Sequence, residues 1–158
     1  MAESINELIS ISGKKKVLLE GMLRATNKQS DAIDKEDMGR LNHLIGEKQK
    51  MINTINVLDL KFEGCFTKIK ESLGLDNLGD IVKSDNEGLN ELKHEISEIM
   101  KVVNEIKNVE SKNHEKILAQ KEELARKIKE IRNGKMARNT YKGKTTTSPN
   151  PSFIDKKK

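Results

Sequence analysis

The sequence predicts an all-α fold: an antiparallel helical hairpin plus a long third helix, forming an elongated three-helix coiled-coil bundle with a disordered C-terminal tail. Three observations carry this. Apolar residues recur at alternating three- and four-residue steps over long stretches, the spacing of a coiled-coil seam. The two prolines, Pro149 and Pro151, lie near the C-terminus, so no proline interrupts the first 148 residues. Finally, 34% of the 158 residues are hydrophobic and 35% charged, with no Trp, one Tyr and three Phe. So few apolar residues, so regularly placed, suit narrow seams between helices better than a thick core.

Residues 2–33 read as the first helix, with Ile5, Leu8, Ile9, Leu18, Leu19, Met22, Leu23 and Ile33 as its apolar members. Lys14, Lys15 and Lys16 interrupt that stripe, so looser pairing is expected there. Gly13 and Gly21 each cost up to ~1 kcal/mol relative to Ala in a helix interior. Only a tight turn fits before the second helix, over 37–73, which makes the two antiparallel. The second helix gives the cleanest count: Met38, Leu41, Ile45, Lys48, Ile52, Ile55, Asp59, Phe62, Phe66, Ile69 and Leu73 follow a strict 3–4 spacing, with Leu44, Met51 and Leu58 widening the stripe. Asp34, with Asp37 three residues on, offers a start for it. Cys65 falls beside this seam, where a packing role is expected.

Gly74 to Gly88 breaks the pattern, with a short helical turn expected around Leu78, Ile81 and Val82. Ser84 and Glu87 fit a capping box opening the third helix, over 88–133. Its seam runs Leu89, Leu92, Ile96, Ile99, Val103 and Ile106, then meets Glu110 and Asn113. It resumes in a different pattern as Ile117, Leu118, Leu124, Ala125, Ile128 and Ile131, and Asn133-Gly134 reads as a stop. The change of pattern implies that the two halves face different partners. Length implies the same: at 1.5 Å per residue, helices one and two span ~50 Å and helix three ~68 Å. Roughly its last dozen residues are therefore expected to extend past the bundle with their apolar stripe, and such a stripe rarely faces water without a reason. The single domain is thus placed at 1–133 and a disordered basic tail at 134–158, carrying Tyr141 and Phe153-Ile154.

The formal charge of +5 is local. Residues 134–158 hold seven Lys or Arg and one Asp, leaving 23 basic and 24 acidic residues in the body. A nucleic-acid binder shows a basic stripe on its folded part, which this neutral body lacks. The N-terminus has no signal-peptide core and no apolar run approaches the ~20 residues needed to span a bilayer, so a cytoplasmic protein is expected. One cysteine excludes an internal disulfide and fits a reducing compartment. Narrow seams offer few places for a pocket, so no enzyme activity is expected. Glu91 with His94, and Glu110 with His114, have metal-ligand spacing, but in so charged a chain they read as solvated helix face. A di-iron bundle needs Glu-x-x-His pairs from two helices, and Leu92 rather than Glu91 or His94 is on the seam. No metal and no cofactor are expected.

The leucine-rich first helix with the Glu36-Asp37 turn, Leu41 and Glu47-Lys48; Asn113 ahead of Ile117-Leu118; Tyr141; and the ending Phe153-Ile154-Asp155-Lys156-Lys157-Lys158, in this order, resemble the FlgN-type flagellar export chaperones. The resemblance covers nearly the whole chain. The Lys14–Lys16 run and the strongly basic tail depart from the family pattern. The resemblance implies a cytoplasmic type III secretion chaperone that binds the C-terminal helical segments of hook–filament junction proteins and brings them to the flagellar export gate. It places client binding in the C-terminal part, at Asn113, Ile117, Leu118, Leu124, Ala125, Ile128 and Ile131, as helix-in-groove recognition. It gives Tyr141 a role in docking to the gate. The competing reading is a structural coiled-coil scaffold or oligomerisation module, and the seams leave a homo-oligomer open. A scaffold favours an uninterrupted seam, so the break at Glu110 and Asn113 favours the chaperone.

Overall fold

The computed structural model describes residues 2–145, with side chains to residue 140. Their order is α1 (Ala2–Asp34), α2 (Met38–Leu73), the short α3 (Leu78–Lys83), a single 3₁₀ turn (Glu87–Leu89) and α4 (Asn90–Thr145). The chain divides into two units, Met1–Lys116 and Ile117–Lys158. The first unit is a helical bundle.

Cross-helix pairs fix the topology of that bundle. Asp31 meets Arg40, Gln29 meets Lys48 and Lys15 meets Asp59, so α1 and α2 are antiparallel. Asn113 and Lys116 reach Thr26 and Ser30, so α4 runs parallel to α1. The α1–α2 turn closes by backbone bonds from Glu36 N to Ile33 O at 3.0 Å and from Asp37 N to Ala32 O at 2.9 Å. This double closure needs one left-handed residue, and Glu36 supplies it at φ 54°. Asp37, not Asp34, caps α2, its side chain accepting from Arg40 N at 3.1 Å.

α1 is more regular than its apolar residues suggest. Its inward positions are Ile5, Leu8, Ser12, Lys15, Leu19, Met22, Thr26, Gln29 and Ile33, an unbroken 3–4 series with four polar members. Lys15 does not loosen the pairing as expected, because its ammonium lies 2.8 Å from Asp59 Oδ1 on α2. The seam of α2 is rotated from the expected one. Leu44, Ile55, Leu58, Cys65 and Ile69 are buried, whereas Met38 and Ile45 are about half exposed. The 3–4 series runs through Leu44, Lys48, Met51, Ile55, Leu58, Phe62, Cys65 and Ile69, so Cys65 lies on the seam and not beside it. Both candidate registers pass through Lys48, Ile55, Phe62 and Ile69, and apolar counting alone could not separate them.

Gly74 ends α2 in the left-handed region (φ 65°), with Leu75 N bonded to Lys70 O at 2.9 Å and the Leu75 side chain buried. Asn77 and Asp80 form a capping box on α3, which buries Ile81. The expected Ser84–Glu87 capping box is replaced by a stepwise entry. Ser84 Oγ accepts from Asn86 N, Asn86 Oδ1 accepts from Gly88 N, and the 3₁₀ turn leads into α4.

The main core joins Ile5, Leu8 and Ile11 of α1, Leu58, Cys65 and Ile69 of α2, Ile81 of α3, and Leu89, Leu92 and Ile96. A second cluster follows, of Leu19, Met22, Ile55 and Ile106. Nearest the α1–α2 turn the apolar packing thins to Ala25, Ala32 and Leu44 with Leu41, from α1 and α2 alone. There α4 is held by polar contacts instead. Lys48 Nζ bridges Gln29 Oε1 at 3.0 Å and Glu110 Oε1 at 3.1 Å. Asn113, 6% exposed, donates from Nδ2 to Thr26 O at 3.2 Å, and Lys116 Nζ reaches Ser30 Oγ at 2.8 Å and Asp34. The seam break at Glu110 and Asn113 is therefore a polar layer inside the bundle, not its end.

The expected stop at Asn133-Gly134 is also corrected, since α4 continues to Thr145. Gly134 does not take the left-handed conformation that a glycine terminator needs, which among the described glycines only Gly74 adopts. It is absorbed as an ordinary helical residue. From residue 146 on, the expected disordered tail lies outside the described residues, with Phe153 and Ile154. Tyr141 falls within α4, but its side chain lies outside those described.

Candidate functional site

The large exposed apolar side chains of the second unit lie on one face of its helix. Leu118 is 45% exposed, Leu124 59%, Ile128 48%, Ile131 70% and Met136 62%. Ile117 is half-buried and Ala125 exposed. At about 100° per residue these seven fall within an arc of roughly 140°, the width of a packing face. Every side chain from 121 to 140 is exposed.

The opposite face is held by its own ion pairs. Arg126 Nη2 lies 2.6 Å from Glu123 Oε1, Arg126 also pairs with Glu130, and Lys127 Nζ lies 4.0 Å from Glu123. The Arg126 hydrogen bond holds the Glu123 carboxyl below its usual range, and Glu123 in turn raises the Arg126 guanidinium. Pairs at i, i+3 and i, i+4 each add a few tenths of a kcal/mol to a helix. They brace the helical form while leaving the apolar face bare.

Of the seven expected site residues, six share this second unit: Ile117, Leu118, Leu124, Ala125, Ile128 and Ile131. Asn113 does not join them. It is buried in the bundle against α1, where its Oδ1 has no protein partner. Sequence reading missed Met136, because Gly134 was taken as a stop. It also missed the cations along the stripe, Lys121, Lys129, Arg132, Lys135 and Arg138, for which a helical wheel carried past residue 133 is the signal.

The bundle itself offers little chemistry. Burial, and then the neighbouring Glu7 carboxylate, push the Cys65 thiol above its usual value, the reverse of what a nucleophile needs. Among the described residues no cluster of three or more His, Cys, Asp or Glu is placed to hold a metal ion. No helix among the described residues is long and apolar enough to cross a membrane. A cavity of about 370 Å³ forms an open notch at the end of α2 between Thr67, Lys70, Glu71, Gly74, Leu75 and Asp76.

A family model described as FlgN protein matches residues 1–149. No curated protein matches the chain, and no solved structure does.

Proposed function

The chain belongs to the FlgN family of flagellar export chaperones, and from that premise we propose that it binds hook–filament junction proteins in the cytoplasm and delivers them to the export gate. In this reading Ile117, Leu118, Leu124, Ala125, Ile128 and Ile131 receive the C-terminal helical segment of the client, and Tyr141 serves the gate. The observation that supports it is the apolar stripe of α4, bare of packing over 118–136 while the helix is braced from behind. An unpartnered stripe of this width is what helix-in-groove recognition uses. Asn113 is left out of the contact set because its role in packing α4 against α1 accounts for it. The family is a chaperone family, and no catalytic role is assigned to any residue.

The test replaces Ile128 and Ile131 with Asp. Both are exposed, so stability should move by no more than about 0.5 kcal/mol each. Affinity for a peptide from a junction protein's C-terminus should fall by ~2 kcal/mol or more per anchor. Leu92→Asp with Ile96→Asp is the control, since both are buried and the bundle should unfold. A folded Ile128/Ile131 variant that binds the peptide as tightly as wild type removes the stripe from the client site.

A further inference from the structure

We propose that the α4 stripe selects an acidic partner: an amphipathic helix whose apolar ridge is flanked by Asp and Glu. This rests on the stripe being the client site, and adds the chemistry that chooses the client.

The charges around the stripe are segregated. Taking about 100° per residue, Lys121, Arg132 and Lys135 fall inside the apolar arc, and Lys129 and Arg138 within roughly 20° of its edges. The acids Glu122, Glu123 and Glu130 all lie about 40° or more outside it. The ion pairs reinforce this separation. Glu123 and Glu130 are engaged by Arg126 on the far face, and Lys127, the next cation out, leans toward Glu123. Lys121, Lys129, Arg132, Lys135 and Arg138 make no ion pair with any described residue. A self-contained amphipathic helix would use its acids to neutralise the cations bordering its apolar face. Here Glu123 and Glu130 are engaged behind it, and five cations lie within or beside the stripe with no ion pair to any described residue.

Cations at the edges of a helical seam set partner choice, as flanking charges do in coiled coils. A second copy of this helix would bring like charge against like charge along most of the stripe. A helix carrying acids at its flanks would pair with Lys121 near one end and with Lys135 and Arg138 near the other. Like-charged competitors would be rejected at the same positions, so the arrangement discriminates as well as attracts.

The experiment uses the full-length protein and two forms of a junction protein's C-terminal peptide, native and with every Asp and Glu replaced by Asn and Gln. The charge-reversed protein Lys129→Glu, Arg138→Glu, changed only at the edges of the stripe, is measured alongside, after circular dichroism and a thermal melt establish its fold. The native peptide should bind wild type at least about tenfold more tightly than the neutral one, and added salt should erode that advantage. Charge reversal should weaken the native peptide about as much while leaving the neutral peptide nearly unaffected. Equal binding of both peptides, unmoved by reversal, overturns the acidic-partner inference and leaves the client site standing. Failure of both peptides to bind wild type overturns the client site itself. Binding to vesicles of phosphatidylcholine and phosphatidylglycerol that exceeds peptide binding and is lost on reversal assigns the cations to a lipid surface, and overturns the inference too.

Discussion

Glu36 carries the one positive φ among the described non-glycine residues, at 54°. Its position is fixed by its neighbours. α1 ends with paired backbone bonds to Ile33 and Ala32, and Asp37 must be free to cap α2. The equivalent position after α2 is Gly74, at φ 65°, the residue type without a Cβ penalty there. A non-glycine residue in this region costs ~1–2 kcal/mol, and glycine loses part of that gain through its freer unfolded chain. Glu36→Gly should therefore stabilise the bundle by about 1 kcal/mol and raise Tm by a few degrees, read by thermal melts. A fall in Tm would mean that the Glu36 side chain has a structural role outweighing its backbone strain. Legibility at this scale is uneven. Gly74 and the buried Ile81 were readable because chain breaks and burial act locally, whereas the cap of α2 was read three residues early, at Asp34 instead of Asp37. Lys15 and Asp59 looked like separate faults in two stripes, because their pairing joins positions 44 residues apart and no periodicity within one helix reports it.

The helices were legible as elements, and their registers and ends less so. Each seam of α1 and α2 contains polar members, Ser12, Lys15, Thr26 and Gln29 in one and Lys48 in the other. Counting apolar residues therefore traced a neighbouring line on α2. The polar layer of Gln29, Lys48, Glu110 and Asn113 misled in the same way, reading as a change of partner along α4 when it is a set of hydrogen bonds between helices. The C-terminal end of α4 is a matter of energy. Gly134 in a helix interior costs about 1 kcal/mol relative to Ala, too little to stop a helix unless a left-handed closure forms. The same number gives a prediction. A Cβ built at Gly134 meets nothing within 4 Å, so Gly134→Ala should raise helical content near residues 130–145. Amide exchange there should slow several-fold, with the thermal melt of the bundle unchanged. Unchanged exchange around residue 134 would show that this stretch is limited by something other than glycine's propensity.

At the scale of the molecule, the buried core and the proposed client site fall in different parts of the chain. Every residue of the three core clusters lies between Ile5 and Ile106. Between residues 121 and 140 no side chain is buried. Removing residues 117–158 therefore leaves every member of these clusters in place. The shortened protein should melt cooperatively within about 3 °C of the full chain, as expected for loss of exposed residues only. It should also lose binding to the junction-protein peptide entirely, since all six proposed contact residues go with the deletion. The complementary fragment, residues 117–145, tests the same division from the other side. With Glu123, Arg126 and Glu130 pairing along it but no partner helix, it faces the full cost of helix nucleation. It should be only partly helical alone and gain helix on adding the client peptide, read by circular dichroism. A truncated bundle that melts more than about 10 °C lower would show that the distal half of α4 supports the core, with a loss of order 2 kcal/mol by the usual conversion for a domain this size. A truncated bundle that still binds the peptide would move the client site onto residues 1–116.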